Sequence, residues 1–216
     1  MGTTQTVLAF LGTAVIAYFL GCFNGAVIVS KYILRDDVRT HGSGNAGLTN
    51  FHRTFGGPLT FVVILCDVLK AVIAVLVGMA LIGGVMDSGL AEDYGKYWGG
   101  IWCLLGHMFP CMFGFKGGKG ILSGGAVAIM IDWRIALVVW GGFLILAVLT
   151  RYVSLGSCWA GASFPFATWF VYQNWIITLM ALFIGGMILW KHRSNIGRLI
   201  RGEESKFTLH KKEPKA

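Results

Sequence analysis

Charge is scarce in this sequence: only 13% of its 216 residues are Asp, Glu, Lys or Arg, against about 25% in an ordinary soluble domain. So few charges cannot cover a water-facing surface, which excludes an ordinary cytosolic domain. Disorder is excluded from the opposite direction, because 56% of the residues are hydrophobic. The five cysteines, Cys22, Cys66, Cys103, Cys111 and Cys158, contain no C-x-x-C pair and lie mostly in apolar runs. They read as small buried hydrophobes, not as a disulfide framework or metal site. No ladder of alternating strands marks a β-barrel, and no internal repeat or long linker divides the chain. No Lys or Arg precedes Lys31, so the first apolar segment lacks the basic n-region of a cleaved signal peptide.

What is present is apolar length. Stretches at 6–30, 58–85, 97–115, 119–131, 134–150, 153–171 and 175–190 are each candidates for a spanning or half-spanning helix. The fourth is short and reads as a tilted or re-entrant piece. Gly is frequent, at 31 residues, which suits close helix–helix approach in lipid. The expected fold is therefore an all-α integral membrane protein, a single transmembrane bundle over residues 1–216 with a flexible basic tail at 207–216. With seven crossings, Lys96 and Arg134 fall at one end, Lys70 falls within a segment, and every other Lys and Arg falls at the opposite end. The positive-inside rule then places the N-terminus outside and the C-terminus in the cytoplasm. This sidedness accounts for the net charge of +8 without nucleic acid; membrane lipids are the expected surroundings.

The unusual polar sequence gathers at the basic end. The loop His41–Gly57 reads H-G-S-G-N-A-G-L-T-N-F-H-R-T-F-G-G. Gly and Asn tolerate positive φ, and successive N–H groups can then cradle an anion. Ser43, Asn45, Thr49 and Asn50 add neutral hydrogen bonds, and Arg53 adds a fork suited to phosphate. The plainer alternative is a flexible turn. Gly42, Gly44 and Gly47 spell G-x-G-x-x-G with Asp67 twenty residues on, but no strand precedes them and Asp67 falls in an apolar helix, so a dinucleotide site is rejected.

A second cluster, Gly106–Gly120, reads G-H-M-F-P-C-M-F-G-F-K-G-G-K-G. Lys116 and Lys119 flank Gly117 and Gly118 beside a predicted helix start, where anions are favoured. It is not a Walker A loop, since Gly120 stands where Ser or Thr is required. A basic hairpin at the head groups is the alternative. His107 has no second ligand at metal spacing. The third cluster, Lys191–Lys206, holds His192 and Asn195 at i, i+3 on one helix face, with Arg198 and Glu204 following. Alone, such a run usually binds anionic lipid head groups or merely fixes topology. Arg151, Tyr152, Ser154 and Ser157 form a shorter polar patch. Asp67 and Lys70, also i, i+3, lie inside an apolar segment and are either a structural ion pair or part of a substrate or transport site.

Three phosphate-friendly clusters at one end imply more than one phosphate. Two dianions at ~6 Å repel by on the order of 11 kcal/mol at an effective ε of ~20, so a site that joins them must supply several cations and donors.

Together G-S-G-N-A-G-L-T-N-F-H-R, G-H-M-F-P with F-K-G-G-K-G, and H-R-S-N-I-G-R-L-I-R-G-E-E resemble the acyl-phosphate:glycerol-3-phosphate acyltransferase family, the bacterial PlsY type, over nearly the whole chain. Leu48 departs from the family pattern, which has a smaller residue there. The resemblance implies a seven-helix enzyme of the inner membrane with its site on the cytoplasmic side. It would move an acyl group from acyl phosphate to the sn-1 hydroxyl of glycerol 3-phosphate, without cofactor or metal. It implies catalytic roles for Ser43, Arg53, Lys119, His192 and Asn195. Substrate contacts would come from Gly44, Asn45, Thr49, Asn50, His107, Gly117, Gly118, Ser154, Arg198 and Glu204. The H-x-x-x-x-D dyad of other glycerolipid acyltransferases is absent, which points to direct attack on an already activated donor. A transporter of a phosphorylated metabolite, with Asp67 and Lys70 in its path, is the rival class; an anionic-lipid scaffold is another.

Overall fold

The computed structural model describes residues 2–207; past Phe207 the expected basic tail lies outside them. Among the described residues every regular element is helical. In chain order these are α1 (Thr3–Cys22), the short α2 (Gly25–Ile28) running into a π-helical turn at Val29–Ile33, and α3 (Leu48–Thr54). The long helices α4 (Leu59–Gly83) and α5 (Ala91–Met108) follow. Then come α6 (Ile121–Ile131), α7 (Trp133–Thr150), α8 (Val153–Tyr172), α9 (Trp175–Lys191) and α10 (Arg193–Ile200). The segments Thr3–Ile33, Leu59–Gly83 and Trp133–Thr150 are long and apolar enough to cross a bilayer. With α9 and α10, bent by 59° at their junction, the described residues hold up to four. At 11 residues α6 is too short to cross unaided.

The first stretch, expected at 6–30, falls within the Thr3–Ile33 span but is not one unbroken helix. Phe23 and Asn24 interrupt the helix. Asn24 is fully buried, and a buried amide must find partners. Its Oδ1 accepts from Val27 N–H at 3.1 Å and starts α2, while its Nδ2 donates to the Ala46 carbonyl at 3.0 Å. The break thus attaches the first polar loop to the bundle.

Other helix starts follow ordinary capping. Asp132 accepts from Arg134 N–H to begin α7, and Asn174 accepts from Ile176 and Ile177 N–H to begin α9. The outward faces carry Phe61, Leu149, Phe166 and Phe170 at 70–81% exposure. Burying each would gain about 1.5–3 kcal/mol in water, so this surface is stable where lipid covers it.

α5 is the central helix and packs on α1, α4, α6 and α9. At its glycines it meets α1 and α4 backbone to backbone. A Cβ on Gly95 would collide with the Gly78 carbonyl, and one on Gly106 with the Tyr18 carbonyl. Main chain on both sides leaves nothing to swing aside. Gly95→Val is expected to destabilise the bundle by about 2 kcal/mol or more, seen as a lower thermal midpoint in detergent.

The connections α4–α5, α6–α7 and α8–α9 share one end, where Tyr172 donates to Asp93 at 3.0 Å and Lys96 pairs with Asp93 at 3.1 Å. At the other end the three polar loops come together.

Candidate active site

A cavity of about 900 Å³ opens at that polar end. Its lining includes Ser43, Asn45, Thr49, Asn50 and Arg53 from the first loop, His107 and Lys119 from the second, and Ser154, His192, Asn195, Arg198 and Glu204 beyond. Trp140 and Phe143 of α7 form an apolar wall. Beyond them a narrow crevice continues among Val139, Phe164, Ile184 and Ile188. The Trp140 indole lies on Gly125 of α6 and donates to its carbonyl at 3.2 Å.

The first loop is shaped by Asn50. Its Oδ1 accepts from Ser43 N–H at 3.0 Å, and its Nδ2 donates to the Val38 and His41 carbonyls, each at 3.0 Å. Asn50 therefore lines the cavity while its amide is committed to the loop. Gly44, at φ +67°, donates its N–H to the His41 carbonyl and makes the turn possible without lining the cavity. Among the described residues the side chains of Ser43, Asn45 and Thr49 make no hydrogen bond, so these donors face the cavity uncommitted. Arg53 reaches Ser205 Oγ at 3.1 Å across its mouth.

The second loop is held from three directions. Tyr18 donates to the Phe109 carbonyl at 2.8 Å, Lys191 to the Met108 carbonyl at 3.1 Å, and Arg39 to the Phe113 carbonyl at 2.8 Å. Arg39 is itself fixed by Asp37 at 2.7 Å. Gly117 and Gly118 do not line the cavity; they bring Lys119 into it. A Cβ on Gly117 would strike the His107 carbonyl, and one on Gly118 the His107 ring. The Gly118 N–H donates to the His107 carbonyl at 3.1 Å. Arg39→Ala is expected to lower turnover about tenfold through loss of this charge-assisted hold. Turnover of the purified variant checks this, and near-normal activity would remove Arg39 from loop positioning.

The third segment supplies an ordered polar chain. Lys119 Nζ donates to Asn195 Oδ1. Asn195 Nδ2 donates to Glu204 Oε1 at 2.7 Å, and Arg198 Nε to Glu204 Oε2 at 2.7 Å. The Ser154 hydroxyl is buried beside them and, among the described residues, makes no hydrogen bond of standard geometry. Burial, helped by nearby Arg198, pulls the Lys119 ammonium down to about 8, against the pull of Glu204. Burial raises Glu204, but hydrogen bonds from Asn195 and Arg198 outweigh it and hold the carboxylate below its ordinary value. His192 sits at the α9–α10 bend, its Nδ1 2.8 Å from the Ile188 carbonyl. A carbonyl only accepts, so Nδ1 carries a proton; burial pushes the ring down to about 4, so it is neutral and Nε2 carries a lone pair.

The chain matches the glycerol-3-phosphate acyltransferase family model over residues 11–202. The chain belongs to that family. Among similar proteins is the glycerol-3-phosphate acyltransferase of Thermoanaerobacter pseudethanolicus, 38% identical over 197 residues, covering 90% of this chain and 94% of the relative. That of Clostridioides difficile is 37% identical over 207 residues, covering 93% and 97%. A crystal structure of PlsY, an integral membrane glycerol 3-phosphate acyltransferase in its glycerol 3-phosphate form, aligns with TM-score 0.80 at 31% identity over 92% of this chain and 96% of that one. Its lysophosphatidic acid form aligns with TM-score 0.77 at 30% identity over 92% and 95%. This acyltransferase family member is therefore an integral membrane protein, and the transporter and scaffold readings lose their footing.

Some residues that shape the cavity escaped sequence reasoning. Arg39 reads as one more topology-setting cation, yet it clamps the second loop. Asn24 carried a usable signal, an amide stranded in an apolar run. Trp140 and Phe143 carried none, because an aromatic in a lipid-facing helix looks the same whether or not it borders a cavity.

Proposed function

We propose that this acyltransferase moves a fatty acyl group from acyl phosphate to the sn-1 hydroxyl of glycerol 3-phosphate. The products are 1-acyl-glycerol 3-phosphate and phosphate, the first acylation of phospholipid synthesis. The observation that carries this reading is the meeting of Arg53, Lys119, Arg198 and an acceptor nitrogen of His192 in one cavity with an apolar wall. The similar PlsY structure exists in forms with glycerol 3-phosphate and with lysophosphatidic acid, which match the proposed acceptor and product.

The proposed setting is the bacterial plasma membrane, crossed seven times by one domain with its N-terminus outside and the cavity facing the cytoplasm. The excess of Lys and Arg at the cavity's end supports that sidedness. In the reaction the glycerol hydroxyl oxygen bonds to the acyl carbonyl carbon. The bond from that carbon to the phosphate oxygen breaks, and its electron pair leaves with phosphate. The hydroxyl proton passes to His192 Nε2 or to the departing phosphate. An acyl phosphate is already activated, so holding two anions side by side supplies much of the acceleration. Arg53, Lys119 and Arg198 offset phosphate charge; Ser43, Asn45, Thr49, Ser154 and His107 donate neutral hydrogen bonds. Gly44, Asn50, Gly117 and Gly118 shape the two loops, and Asn195 with Glu204 aligns Lys119.

Phosphate release by purified protein from acyl phosphate plus glycerol 3-phosphate tests this. Turnover is expected with acyl phosphate and not with acyl-CoA or acyl-carrier-protein donors. No turnover with acyl phosphate overturns the donor assignment, and a burst of acyl-enzyme overturns direct attack.

A further inference from the structure

Beneath the Gly117–Gly118 turn lies a cluster of three ionisable side chains, Asp67, Lys70 and His107, at 1%, 5% and 3% exposure. Lys70 Nζ meets Asp67 Oδ1 at 2.6 Å, the Phe23 carbonyl at 3.0 Å and His107 Nδ1 at 2.8 Å. An ammonium has three protons to donate and no lone pair; here it has three acceptors. With all three neighbours placed to accept, the nitrogen is the ammonium and His107 Nδ1 receives one of its protons. Asp67, also supported by Gly25 N–H at 3.3 Å, balances that charge. A second cation on His107, one hydrogen bond from Lys70, would add repulsion in a buried site.

His107 Nδ1 can then only accept, and a neutral imidazole that accepts at Nδ1 carries its proton on Nε2. That nitrogen lies against Gly118, where a Cβ would collide with it, and His107 lines the cavity. Among the described residues Nε2 has no hydrogen-bond partner, although the ring is almost wholly buried. A built donor is aimed at the turn that presents Lys119.

We propose that Lys70, balanced by Asp67, locks His107 in its Nε2–H form, so that the ring donates a hydrogen bond to a phosphoryl oxygen held in the cavity beside Lys119. His107 is the residue that touches substrate; Lys70 and Asp67 are positioning residues. The assignment rests on reading the cavity as a phosphate site. It also divides labour between two histidines in opposite tautomers. His107 offers a proton and cannot serve as base, whereas His192 offers a lone pair.

The test is nitrogen-15 NMR of imidazole-labelled protein in detergent, with the His107 signals identified by their loss in His107→Gln. Wild type is expected to show the proton on Nε2 and a shift of that nitrogen when glycerol 3-phosphate or inorganic phosphate is added. Lys70→Met is expected to abolish the preference for Nε2–H. In turnover, His107→Leu and Lys70→Met are expected to fall about 10- to 100-fold, the cost of one hydrogen bond to a charged group. His107→Gln, whose amide accepts from Lys70 and donates toward the cavity, is expected to exceed His107→Leu by about tenfold. A proton on Nδ1, an imidazolium, a nitrogen blind to both phosphates, or a Lys70→Met spectrum like wild type would overturn the proposal. Equal turnover of His107→Gln and His107→Leu would do the same, and that pair decides if Lys70→Met does not fold. A wild type that shows the Nε2 response but does not consume acyl phosphate supports this assignment while sinking the donor reading.

Discussion

Lys119→Met is expected to lower turnover by about a hundredfold to a thousandfold while the helices stay folded. The size follows from removing one preorganised charged donor from a partly buried site, where such a group is worth more than in bulk solvent. Lys119 is well placed for that role. The Gly117–Gly118 backbone brings it into the cavity, and Asn195 receives its ammonium. Methionine keeps most of the length and packing, so the loss reports charge and not a hole. A pH profile separates this from general damage. Because burial holds the Lys119 ammonium down at about 8, kcat/KM for glycerol 3-phosphate is expected to fall as pH rises through that value. A bound phosphate dianion favours the charged ammonium, so the corresponding limb of kcat moves to higher pH. The Met variant lacks both limbs. Turnover within a few-fold of wild type, or an unchanged alkaline limb, would remove Lys119 from the site.

Glu204→Ala is expected to lower turnover by about a hundredfold and to destabilise the protein by about 2–4 kcal/mol. The carboxylate has 7% side-chain exposure and joins Arg198 to Asn195, which in turn receives Lys119. Without it the Arg198 charge and the Asn195 amide lose their partners, and Lys119 is held by an unanchored residue. Glu204→Gln keeps one acceptor and should fall between Ala and wild type. The sign of the pH effect is fixed by the depressed folded pKa. The stabilisation is present above the unfolded carboxylate pKa and fades as pH falls through the lower folded value. Thermal midpoints in detergent should therefore drop in acid more steeply for wild type than for Glu204→Gln. Parallel acid limbs in the two proteins would show that Glu204 is not the group responsible.

The three polar clusters were legible in sequence because they interrupt a lipid-compatible background. Ser43, Arg53, Lys119, His192 and Asn195 stand out there as chemistry with no packing reason, and the cavity gathers them. What sequence could not supply was partnership across distance. Asn50 reads as a free amide until the fold turns the Val38 and His41 carbonyls toward it. Gly117 and Gly118 read as phosphate-cradling glycines, yet their small size is required by His107, ten and eleven residues away in the chain. Asn24 was absorbed into an apolar stretch because a length count does not register what a single buried amide demands. Asp67 and Lys70 announce a pair by spacing, but their third member comes from another helix.

The glycine contacts of α5 have a mechanical corollary. Where α1, α4 and α5 meet main chain to main chain, the framework has almost no compliance. The seam between α6 and α7 is closed differently, by an indole resting on Gly125. A side chain can rotate where a backbone cannot, so any breathing of the cavity should concentrate along that seam, with Trp140 as its latch.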